Sequence, residues 1–189
     1  KVSAIAKKNN CKIHLDGARI FNASVALNLD VKELVKDADS LTFCLSKGLS
    51  SPVGSVICGN SDFIKKARHI RKALGGGMRQ AGIIARFGEF SLDNMMDQIK
   101  KDHKNALMLA KGLSNIVGIN IDLEKIHSNI VYFKLEESKI SFSPQLVELM
   151  KDKGILFFEV SPNRYRLVTH YGIESKHIEI VLKTLNEIL

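Results

Sequence analysis

Two five-residue apolar runs, residues 11–15 (CKIHL) and 41–45 (LTFCL), flank a stretch from residue 21 to about 37 whose apolar side chains recur at helical spacing. Strand, helical crossover, strand is a βαβ unit, and such units place their strands parallel, adjacent and joined right-handedly. The first run stops at Asp16-Gly17 and the second at Ser46-Lys47-Gly48. Asp16 and Lys47 are therefore expected just past the carboxyl ends of neighbouring parallel strands, the edge where open α/β sheets place their ligands. Lysine is almost never fully buried without a partner. At the exit of a buried strand it either reaches solvent or takes part in chemistry.

The rest of the chain falls into three segments. Residues 1–10 (KVSAIAKKNN) read as the middle of an amphipathic helix, so the chain is expected to begin inside a larger fold. The 21–37 helix carries a break near residues 28–30. Residues 52–59 (PVGSVICG) return antiparallel to the lysine strand, and a helix over 63–74 is capped by Asp62 and closed by Gly75-Gly76-Gly77. No strand precedes that glycine run, which reads as a helix stop rather than a phosphate loop. Residues 80–113 are mostly helical, with breaks expected at Gly82, Gly88 and 91–94, and join residues 1–79 to a second domain over 114–189. There the pattern is ββαββα, a small α+β layer with helices on one face. Its strands fall at 116–121, 129–135, 156–160 and 165–169, and its helices at 143–153, opened by Ser143-Pro144, and at 175–189.

Composition excludes several classes. Hydrophobic content of 45% and charged content of 25% are ordinary for a globular chain of 189 residues. The net charge of +8 invites a nucleic-acid reading, but the cations are mostly lysines scattered over helical faces. Aromatics total 6% and tryptophan is absent, so a base-stacking platform is not expected. No run is long enough to cross a membrane. Cys11, Cys44 and Cys58 are too few and too irregularly spaced for a disulfide framework or a metal site, so buried thiols in the cytoplasm are expected.

Asp16 and Lys47 together suggest a cofactor. A lysine that forms a Schiff base needs surroundings that favour its neutral amine, and a carbonyl within reach. Pyridoxal phosphate supplies that carbonyl. Its ring draws electrons from a substrate's α-carbon when a carboxylate keeps the ring nitrogen protonated. An aspartate and a lysine at adjacent strand ends can meet opposite ends of one flat cofactor. On its own, such a pair could equally be an exposed ion pair worth under about 1 kcal/mol.

The surrounding residues go further. HLDGARIFNA (14–23), LSKGLSSPVGS (45–55), LGGGMRQAG (74–82) and RLVTH (166–170) resemble, in order and spacing, the motifs of the threonine aldolase family. The resemblance implies the α/β aspartate-aminotransferase-like fold of pyridoxal 5'-phosphate enzymes. It makes residues 1–79 the later part of the large cofactor-binding domain, and 114–189 the small carboxyl-terminal domain. Lys47 resembles the lysine that binds the cofactor covalently, Asp16 the partner of the pyridine nitrogen, and Arg19 an active-site arginine near cofactor and substrate. Arg166 resembles the arginine that clamps the substrate α-carboxylate, a task suited to a planar two-pronged donor. Ser46 is expected at the cofactor phosphate. Lys72 and Arg79 resemble basic residues that reach the phosphate in a neighbouring subunit, which implies a homo-oligomer, a dimer of dimers, with shared sites. His14 lies two residues before the Asp and is expected as a satisfied core histidine, and His170 ends the Arg166 strand.

The implied activity is cleavage of L-threonine, L-allo-threonine and related β-hydroxy-α-amino acids to glycine and an aldehyde. The family's amino-terminal half, with its phosphate loop, its ring-stacking histidine and the expected place of the catalytic base, has no counterpart in these 189 residues. The chain is therefore expected to be inactive alone. Two other readings share the same Asp and Lys: a β-eliminating lyase of the same fold, and a non-catalytic fragment with an assembly role.

Overall fold

The structure, a computed structural model, describes residues 1–189. It divides into two compact units, Lys1–Asp97 and Gln98–Leu189.

The first unit opens with α1 (Val2–Lys8) and reaches β1 (His14–Asp16). The crossover is two helices, α2 (Ile20–Leu27) and α3 (Val31–Val35). The break falls where expected, because Asn28 takes a left-handed conformation (φ 52°) and Asp30 caps α3 by accepting from the Lys32 N–H. Strand β2 (Ser40–Cys44) then pairs parallel with β1, His14 opposite Ser40 and Asp16 opposite Thr42. Strand β3 (Ser55–Gly59) returns antiparallel to β2, giving a three-stranded sheet in the order β1-β2-β3.

The next helix differs from expectation at its start. Helix α4 (Ser61–Ala73) is capped by Asn60, whose side chain accepts from the Phe63 N–H at 2.9 Å, while Asp62 sits inside the first turn. Gly75, at φ 80°, ends it as read. Helix α5 (Gly82–Asn94) contains Gly88 without breaking. A Cβ at that position would lie 2.8 Å from Leu45 Cδ1, so the missing side chain lets α5 pass close to the end of β2. The break comes at Met95, before α6 (Met96–Leu113).

The second unit contains the ββαββα pattern. Strands β4 (Ile119–Asn120), β5 (Ile130–Leu135), β6 (Phe158–Ser161) and β7 (Arg164–Val168) form an antiparallel sheet in the order β4-β5-β7-β6. Helix α7 (Leu146–Asp152) starts later than Ser143-Pro144, after a 3₁₀ turn over Glu137–Phe142, and α8 (Ser175–Ile188) closes the chain. One sheet face and the helices enclose a core that includes Leu109, Leu113, Val131, Phe133, Leu146, Met150, Tyr165 and Leu185. Tyr165 stacks on Phe133 at 4.9 Å between centroids, and its hydroxyl donates to Ser143 Oγ at 2.8 Å, which satisfies that hydroxyl. Helices α6 and α8 touch at Gly112, where a Cβ would collide with Leu182 Cδ1.

Candidate active site

Both ends of the proposed cofactor site lie on one edge of the first unit's sheet. Asp16 is the last residue of β1, and Lys47 follows the end of β2 by one short turn. The Gly17 N–H donates to the Thr42 carbonyl at 2.7 Å, holding the Asp16-Gly17 corner against β2. Asp16 Oδ1 accepts from the Ala18 N–H at 3.2 Å, which orients the carboxylate while leaving its other oxygen open.

The lysine turn is anchored on both sides. Leu45 donates its N–H to Gly54 and accepts from the Ser51 N–H, each at 3.0 Å, while the Ser50 N–H closes on the Lys47 carbonyl at 2.8 Å. Leu45 and Leu49 are buried, so the exposed Ser46 and Lys47 stand on a turn pinned from below. Gly48 is pinned too. A Cβ there would lie 2.5 Å from Oδ1 of Asn22, a side chain of α2 that is 2% exposed. Asn22 escaped the sequence reading, although it lies inside the HLDGARIFNA motif. No local pattern marks it, because its contact with Gly48 is set by tertiary approach.

The other expected residues fall as follows. Arg19 is the half-buried residue preceding α2. Lys72 is in the last turn of α4, and Arg79 in the turn before α5; both are exposed. Arg166 lies on β7 in the second unit. None of Lys47, Arg19, Lys72, Arg79 or Arg166 is in an ion pair, so all five charges are available to anions. Two expectations need correction. His14 is exposed rather than in the core, and its ring bridges Ser40 Oγ at 2.8 Å and Thr42 Oγ1 at 3.4 Å, because β1 is at the border of the sheet. Cys11 is also exposed, since β1 begins only at His14, while Cys44 and Cys58 are half-buried; all three are free thiols.

The donor set fits pyridoxal phosphate. A primary amine, a carboxylate with an open oxygen and a hydroxyl share one strand edge, and nothing in the chain neutralises the amine or the carboxylate. No cluster of three His, Cys, Asp or Glu side chains suited to a metal ion is present. No helix is long and apolar enough to cross a membrane.

Solved structures define the class. Threonine aldolase from Leishmania major matches with a TM-score of 0.74 at 22% identity, over 99% of this chain and 54% of that one. SPT carrying pyridoxal phosphate matches with a TM-score of 0.69 at 20% identity, over 98% and 49%. The fold is thus the aspartate-aminotransferase-like fold that the motifs implied. Within it, the chain belongs to the beta-eliminating lyase family, whose profile matches residues 1–136. Similar relatives include low-specificity L-threonine aldolase 1 of Arabidopsis thaliana, 40% identical over 99% of this chain and 52% of that protein. The low specificity L-threonine aldolase of Escherichia coli K12 is 40% identical over 91% and 49%. The chain spans about half the length of these relatives.

Proposed function

We propose that the chain is part of a pyridoxal-phosphate-dependent aldolase that cleaves L-threonine, L-allo-threonine and related β-hydroxy-α-amino acids to glycine and an aldehyde. The observation that carries this reading is the placement of Asp16 and Lys47 at the carboxyl ends of adjacent parallel strands. The relatives at 40% identity favour aldol cleavage over β-elimination. Such an enzyme releases glycine in threonine breakdown, and the three free thiols suit a cytoplasmic setting.

When bound, the cofactor supplies a carbonyl for amine exchange and a ring that takes up the electron pair left by Cα–Cβ cleavage. Lys47 would hold it through its side-chain amine. The Asp16 carboxylate would accept from the ring nitrogen, keep it protonated and so preserve the ring's pull on electrons. The Ser46 hydroxyl would donate to the phosphate. Arg166 would grip the substrate carboxylate through charge-assisted bonds and so set the orientation of the Cα–Cβ bond, and Arg19 is the first unit's candidate for the same task. Over one turnover the β-hydroxyl proton lost on forming the aldehyde would balance the proton gained at Cα to give glycine.

Lys72 and Arg79, exposed on either side of Gly75-Gly76-Gly77, reach the cofactor phosphate of a neighbouring subunit in a homo-oligomer built as a dimer of dimers. Their unpaired charge supports this role.

Borohydride reduction of the cofactor-loaded protein followed by peptide mapping tests the assignment. The expected label is on Lys47 alone, and a label on any other lysine overturns the reading.

A further inference from the structure

Resting on the reading of Arg166 as the carboxylate clamp, we propose that Phe158 is the positioning residue that fixes its guanidinium and selects the edge an anion meets. Arg166 lies in register between Tyr132 of β5 and Phe158 of β6. Strand alternation puts it on the sheet face opposite the buried Tyr165 and Leu167, its neighbours along β7. On that face its guanidinium carbon is 5.8 Å from the centroid of the Phe158 ring, within cation–π range. The Tyr132 ring is already engaged, with the Arg164 guanidinium carbon 4.6 Å from its centroid. Phe158 is therefore the aromatic surface left to Arg166.

Two further observations give the contact a purpose. Arg166 Nε is buried and has no hydrogen-bond partner, so that edge of the guanidinium is closed to solvent and to ligand alike. The two Nη groups remain, and they form an end-on fork that matches a carboxylate. Phe158 itself is 65% exposed and so adds little to the core. A large aromatic ring left in solvent beside an unpaired cation serves the cation. By lying alongside the side chain, the ring reduces the entropy the fork loses when a carboxylate docks.

Calorimetric titration of the cofactor-loaded protein with glycine and with glycinamide, which lacks the carboxylate, tests this. Phe158→Leu keeps the apolar bulk and removes the π face. It should weaken glycine by about two- to fivefold, the range of an exposed cation–π contact, and leave glycinamide unchanged. Phe158→Trp should bind glycine as the parent protein does. Unchanged glycine affinity in Phe158→Leu, or equal loss for both ligands, overturns the proposal. Arg166→Gln separates the two levels. If it spares glycine, the carboxylate reading of Arg166 fails and takes the proposal with it. If it discriminates the two ligands while Phe158→Leu does not, the proposal about Phe158 alone fails.

Discussion

Asp102 shows how much of a residue's character comes from its surroundings. It is fully buried on α6, with Oδ1 accepting from Gln98 Nε2 at 2.8 Å and Oδ2 without a partner. Its own carbonyl accepts from Thr169 Oγ1 at 2.6 Å, so it sits where α6 is tied to the end of β7. Burial pushes the carboxyl above the usual carboxylate range, against the opposing pull of the Gln98 amide and the His170 charge. The folded protein therefore keeps this proton to higher pH than the unfolded chain does. The contribution is complete below the ordinary carboxylate pKa of about 4, and declines as pH rises through the raised folded value. Asp102→Asn mimics the neutral acid. Its melting temperature should match the parent protein near pH 3 and exceed it increasingly above that range. A parent protein that gains on the variant as pH rises would rule out a neutral carboxyl. None of this was legible in KDHKNA, where an aspartate on a lysine-rich helix reads as a solvent-facing charge. Asp16 and Lys47 could be placed because a strand end followed by glycine is a local pattern. Asn22 and Phe158 could not, since their partners Gly48 and Arg166 are set by tertiary approach and sheet register.

At the scale of elements, the lysine turn and α2 are fitted to one another through an absent side chain. Building a Cβ on Gly48 brings it 2.5 Å from Asn22 Oδ1, and Asn22 is too enclosed to swing aside freely. Gly48→Ala should therefore displace the turn that presents Lys47, at a cost of about 1–3 kcal/mol typical of overpacking. Cofactor content, read by absorbance after gel filtration, should fall. The double variant Asn22→Ala/Gly48→Ala should recover part of both stability and cofactor, because it removes the clash. Equal losses in the single and double variants would place the glycine requirement elsewhere. Element types and order could be read from periodicity alone: the βαβ start, the antiparallel return of β3 and the later ββαββα. Boundaries were less legible. Asn60 and Asp62 are both capping residues by type, and only the Asn60 bond to the Phe63 N–H separates them. Gly88 carried the signature of a break, yet the helix runs through it because its neighbour Leu45 needs that space.

At the scale of the molecule, the two units differ in how much apolar surface they cover for themselves. In Gln98–Leu189, four strands and three helices close over a continuous core, and Val131, Leu113, Leu146, Met150, Tyr165 and Leu185 are completely buried. In Lys1–Asp97 the buried apolar side chains are Ile20, Leu45 and Leu49, while Val2, Ile5, Leu74, Met78, Ile83 and Phe90 are all more than half exposed. Composition cannot reveal this, because both halves carry ordinary amounts of hydrophobic residues; the difference is in whether a second layer covers the sheet. Hydrophobic burial is the main force that opposes chain entropy, so the two units should behave differently when separated. Residues 98–189 expressed alone should unfold in one cooperative transition, with an enthalpy of about 60 kcal/mol near 60 °C by the usual per-residue value. Residues 1–97 alone should show no such transition, and should bind a dye that reports exposed apolar surface. Calorimetry and dye fluorescence on the two fragments decide the matter. Cooperative melting of 1–97 by itself would mean that its three-stranded sheet is stabilised by something other than burial. Failure of 98–189 to melt cooperatively would mean that its core is not self-sufficient.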